Sequence, residues 1–126
     1  MGLCLAAQYL LRLKEGSMLW AGLPCSSFVW IARATSKRSR ASPAGHGPMA
    51  EEGNCLAARV VLMCLTAMMR KAWWVCEQPN SSLAFRLPVF DWLFRINRVK
   101  YDLAPATLTR LCLGYVPPTQ FPSQRS

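Results

Sequence analysis

The sequence contains a single histidine, His46, and only six acidic residues against fifteen Lys and Arg. None of its six cysteines (4, 25, 55, 64, 76 and 112) belongs to a Cys-x-x-Cys pair. These shortages exclude the usual zinc constellations, and no metal site is expected. They also leave a papain-like thiol without a partner, since His46 lies in a Gly-rich loop. A cysteine-based phosphatase needs an Arg six positions after its thiol, and Ile31 stands there for Cys25. A secretory leader is not expected, because no basic residue precedes the apolar residues 2–13. The longest apolar stretch, Cys55 to Met69, contains Arg59 and falls short of the ~20 residues of a membrane span, so no membrane partner is expected.

What is present is an apolar, basic chain. Its 126 residues suffice for one small domain, and hydrophobic residues make up 52%. The net charge of +9 favours a polyanionic partner, nucleic acid ahead of an acidic membrane surface. The other reading of that charge is a solvated surface that keeps an apolar chain in solution. Cysteines set mostly inside apolar runs fit a reducing, intracellular compartment, and the basic loop also reads as a nuclear address.

Periodicity predicts a helix over 2–14, with Leu3, Ala6, Ala7, Leu10 and Leu11 on one face and Gly16 as its stop. Residues 18–23 read as a buried strand, and 28–34 as a short helix or turn. Thr35 to Pro48 has no apolar period and is rich in Ser, Gly, Pro and base, which predicts a mobile loop. A helix from Pro48 or Asn54 to about Lys71 follows, apolar almost all round. Residues 73–77 read as a second strand, and a helix is expected from about Pro88 to Ile96. Val99–Leu103 reads as a strand, and Leu108–Leu113 as a strand or short helix. The expected fold is α/β: a small, partial Rossmann-like parallel sheet with helices on both faces. It fills residues 1–116 as one domain, followed by a flexible tail over 117–126.

Two strand ends carry the chemistry. Met18 to Leu23 stops at Pro24-Cys25, and Ala72 to Cys76 stops at Glu77. A strand, a crossover helix and a parallel strand bring both ends to one sheet edge, where open α/β sheets place their sites. Cys25 is a candidate nucleophile, with Arg33, Lys37 and Arg38 downstream to favour its thiolate, or a half-buried structural cysteine. Glu77 is a candidate acid or base-edge acceptor, or a salt-bridging carboxylate. The loop from Arg33 to Arg40 holds four cations, with Ser36 and Ser39 between them, and suits phosphate contacts or plain solvation. Trp30, close to the Cys25 loop, is the tryptophan placed to stack on a base.

Together the two motifs resemble a family. Gly22-Leu-Pro-Cys-Ser-Ser-Phe28 resembles the Gly-Pro-Pro-Cys-Gln-x-Phe-Ser loop of the C5 cytosine-specific DNA methyltransferases, and Val75-Cys-Glu-Gln-Pro79 resembles their Glu-Asn-Val or Glu-Asn-Pro strand end. The resemblance spans residues 18–83. It implies that Cys25 attacks carbon 6 of a flipped cytosine while Glu77 holds the base through N3 and the exocyclic amine. It makes Ser26 to Arg40 the loop that closes on nucleic acid, DNA ahead of RNA, with Ser26, Ser27, Arg33, Lys37, Arg38 and Arg40 as contacts. It also implies S-adenosylmethionine as cofactor. Leu23 replaces the family's first Pro, Gln78 replaces its Asn, and no Phe-x-Gly-x-Gly-like cofactor loop occurs. The expected protein is therefore the base-handling part of such an enzyme, incomplete alone, with a second chain completing its sheet. A non-catalytic basic nucleic-acid-binding or scaffold protein, or a gene fragment without function, are the other readings.

Overall fold

The computed structural model describes residues 2–79, 81–101, 106–108 and 111–113. Helix α1 (Gly2–Leu11) leads into strand β1 (Met18–Gly22). A 3-10 turn (Trp30–Ala32) and the one-turn helix α2 (Arg33–Ser36) precede the long helix α3 (Pro48–Met69). Strand β2 (Trp73–Glu77), a 3-10 turn (Ala84–Arg86) and helix α4 (Pro88–Tyr101) follow, then strands β3 (Ala106–Leu108) and β4 (Leu111–Leu113).

The chain is α/β, and β1 and β2 pair in parallel, as the two apolar runs predict. The full sheet has the order β1-β2-β4-β3, and β4 lies antiparallel to both neighbours. The sheet is therefore mixed rather than parallel throughout. Only two residues separate β3 from β4, and so short a connection permits only antiparallel pairing. The strand expected over Val99–Leu103 is partly replaced by the end of α4, which continues past Ile96 to Tyr101. The expected boundary at residue 116 and the tail over 117–126 lie outside the described residues.

Pro48 opens α3 because its missing N–H costs nothing in the first turn, where Glu51 also meets the positive end of the helix dipole. At 22 residues α3 is long and apolar enough, by length and composition, to cross a bilayer, which the run from Cys55 alone does not suggest. Here it serves as the central packing helix. Its Ala57, Val60, Val61, Cys64, Ala67 and Met68 form the core with Ala21 of β1, Trp74 and Cys76 of β2, and Phe90 and Leu93 of α4. Trp74 stacks on Phe94 at 6.4 Å between ring centroids.

The register assigns this core to one face. Leu19 pairs with Trp74 and Ala21 with Cys76, so these four share a face, while Met18 and Trp20 share the other. On that second face Met18 and Trp20 are 59% and 56% exposed, although Val75 beside them is buried. The expectation of helices on both faces is thus corrected for β1, whose second face is open among the described residues. The apolar run 18–23 reads as doubly buried only because Met and Trp are counted as core residues.

Candidate functional site

Gly22 ends β1 directly opposite Glu77, the last residue of β2. Parallel strands finish at the same edge, so the segments carrying Cys25 and Glu77 leave the sheet side by side. A neutral buried amide fastens the two. Gln78 is 3% exposed, and its Nε2 donates to the Leu23 carbonyl at 2.5 Å and to the Glu77 carbonyl at 2.9 Å. Its Oε1 accepts from the Ser82 hydroxyl at 2.7 Å. Every polar atom of the Gln78 side chain is therefore used within the fold, as burial requires.

After Pro24 the chain turns sharply. The half-buried Cys25 accepts from the amides of Phe28 and Val29 through its carbonyl, at 2.9 and 3.2 Å. Phe28 is fully buried, and its carbonyl accepts from the Leu83 amide at 3.0 Å, which ties the turn to the segment after β2. The Glu77 carboxylate is exposed, and its Oε2 accepts from Trp20 Nε1 at 3.4 Å. So long an exposed contact yields to rotation of the side chain at little cost.

The basic loop divides by burial. Ser26, Lys37 and Arg40 are exposed, and Arg33 is half-buried. Ser27 and Arg38, also expected as nucleic-acid contacts, are buried. Arg38 is 2% exposed, and its guanidinium is committed to the protein. Its Nε donates to the Ser27 carbonyl at 2.9 Å. Nη2 donates to Ser27 Oγ at 3.2 Å and the Ala50 carbonyl at 2.9 Å. Nη1 donates to the carbonyls of Pro43 and Ala44 and to Asn54 Oδ1, at 2.6, 3.1 and 2.8 Å. The guanidinium carbon lies 3.9 Å above the centre of the Phe28 ring, a cation–π contact. No carboxylate takes part, and burial pushes this guanidinium below the usual arginine range. With no donor left over, Arg38 has none to offer a phosphate.

This network also revises Thr35–Pro48. The segment encloses Arg38, and His46 N–H donates to the Ser36 carbonyl at 2.9 Å to close the loop on itself. Two glycines make the room. A Cβ on Gly45, whose φ is +64°, would strike the Ser36 carbonyl and the Arg38 side chain. A Cβ on Gly53, inside α3, would strike Ser27 Oγ and come within 2.9 Å of Arg38 Nη2. Gln78 and Gly53 are residues that sequence reasoning passes over as site determinants, and Arg38 it reads as a surface cation rather than a buried one. A glycine inside a helix is the one visible signal, because it marks a close approach.

A cavity of about 350 Å³ adjoins the same edge. Gly2, Leu3 and Ala6 of α1, Gly22 to Pro24, and Leu56, Arg59, Val60 and Met63 of α3 line it. Adenosine sites in sheets of this type need a carboxylate for the ribose hydroxyls. This lining has none, so this cavity does not fit S-adenosylmethionine. Trp30 lies 66% exposed just beyond the Cys25 turn. No family model, curated protein or solved structure matches this chain.

Proposed function

We propose that this chain handles a nucleic-acid base in the manner of the C5 cytosine-specific DNA methyltransferases, with a partial Rossmann-like sheet as its frame. Cys25 is the nucleophile and Glu77 its acid partner. The observation that carries this reading is the parallel register opposing Gly22 to Glu77, which sends Pro24-Cys25 and the carboxylate off one edge. The resemblance of the two motifs supplies the roles.

In the proposed step the cytosine leaves the stack. The Cys25 thiolate forms a bond to carbon 6, and the 5,6 double bond shifts its electron pair toward N3. Glu77 supplies the proton that N3 takes up. In the absence of a methyl donor, loss of the thiolate and return of the proton reverse the step. Because the cavity lining does not fit S-adenosylmethionine, the reading stops at this reversible addition. The open edge and open face of β1 are where a second chain would complete the sheet. Ser26, Lys37, Ser39 and Arg40 are loop residues exposed to reach phosphates.

Trapping on an oligonucleotide with a mechanism-based cytosine analogue tests the nucleophile. A second reading, binding without chemistry, is favoured by the exposure of Trp30, Lys37 and Arg40. It is separated by salt titration: binding that falls steeply with salt, ignores Cys25→Ala and yields no adduct belongs to the second reading.

A further inference from the structure

Arg38 has no place in the chemistry proposed above, yet it is a buried cation with six neutral acceptors. Burying such a charge without a carboxylate costs more than a neutral side chain of the same shape would. The fold meets that cost with two glycines and four loop or helix carbonyls, all arranged around one fork. The fork's geometry shows what it holds. Ser27 is gripped at both its carbonyl and its hydroxyl, and the ring of the next residue, Phe28, lies beneath the guanidinium carbon. These two residues complete the turn that begins at Cys25, since the Phe28 amide closes it on the Cys25 carbonyl. The opposite side of the fork is fixed to Ala50 and Asn54 in the first turns of α3, and to Pro43 and Ala44. On the far side of the turn, Gln78 holds Leu23.

We infer that Arg38 is a positioning residue: it clamps the Cys25–Phe28 turn to the start of α3 and so sets how the Cys25 thiol is presented. The catalytic part of this inference rests on the reading of Cys25 as nucleophile, while the clamp itself does not. Charge alone cannot do the work. A lysine offers one ammonium with three donors and cannot bridge Ser27, Ala50, Asn54 and the Pro43–Ala44 corner together.

The experiment measures alkylation of each cysteine by iodoacetamide, peptide by peptide, on the full chain. Exposed Cys4 and Cys55 are the references, and protection of buried Cys64 and Cys76 reports an intact core. With the core intact, Arg38→Lys should speed alkylation of the half-buried Cys25 about tenfold relative to Cys4, as the turn opens. Ethylguanidinium added to Arg38→Ala should restore the slow rate by refilling the fork. Gly53→Ala, which crowds Ser27 Oγ and Arg38 Nη2 while leaving Arg38 itself unsubstituted, should move Cys25 in the same direction and decides the matter if neither Arg38 variant folds. Unchanged Cys25 reactivity in the folded variants would overturn the inference. Covalent trapping of a zebularine-containing oligonucleotide supplies the second arm. Arg38→Lys should slow adduct formation roughly tenfold or more while leaving oligonucleotide affinity unchanged, the signature of misplacement rather than lost binding. An unsubstituted protein that forms no adduct while Cys25 alkylation still responds to Arg38 would sink the nucleophile reading and leave the clamp standing.

Discussion

Gln78 donates through its side-chain amide to the Leu23 carbonyl across 2.5 Å, so the residue after Glu77 is fastened to the residue two before Cys25. The bond is buried, which makes it a fixed strut between the two strand ends. The expected consequence is that the strut is specific for length as well as polarity. Gln78→Leu leaves the Leu23 carbonyl without its side-chain donor and should cost about 1–3 kcal/mol in urea unfolding. Gln78→Asn is one methylene shorter and should lose the same bond, so it should fall close to Gln78→Leu rather than to the unsubstituted protein.

Gly53 offers a test in which the usual propensity is reversed. Alanine favours a helix interior over glycine by about 1 kcal/mol. Gly53→Ala should nonetheless destabilise the protein by about 1–3 kcal/mol, because its methyl group meets Ser27 Oγ and Arg38. Ser27→Ala removes the nearest obstacle, so the double variant should recover part of the loss. Thermal melts of the two single variants and the double variant measure that coupling.

On the proposed reading, the surface cations and Trp30 carry nucleic-acid binding. Charge reversal at Lys37 and Arg40 should weaken single-stranded oligonucleotide binding and flatten its salt dependence by about 0.7 in log–log slope per lost phosphate contact. Trp30→Ala should cost about 1–3 kcal/mol of binding if a base stacks there. Fluorescence anisotropy across a salt series reads both. Equal binding by the charge-reversed protein would remove the loop from the interface.

The two parallel strands, β1 and β2, are legible in the sequence because short apolar runs bounded by Gly16, Pro24 and Pro79 leave little choice of structure. Their parallel pairing follows from the helix between them. The open face of β1 is not legible, because Met18 and Trp20 look like core residues until the register shows which way they point. The loop misleads for a more specific reason. Ser, Gly, Pro and Arg are read as solvated, and Lys37 and Arg40 are indeed exposed. Arg38, between them, is buried by carbonyls of its own loop and of α3, acceptors that every residue carries and no sequence pattern reveals. The site edge could be found from two strand ends, whereas the struts that hold it are tertiary.

The most direct test of the central claim is the mass of the intact protein after incubation with a zebularine-containing DNA oligonucleotide, followed by mapping of the modified peptide. Addition of the thiolate at carbon 6 needs no methyl donor, so the chain alone should form the adduct at Cys25 and at none of its other cysteines. Cys25→Ser should abolish it, and Glu77→Gln should reduce it severely, because N3 loses its acid. A folded protein that binds the oligonucleotide but carries no adduct at Cys25 would contradict the assignment and leave this thiol a structural part of the turn.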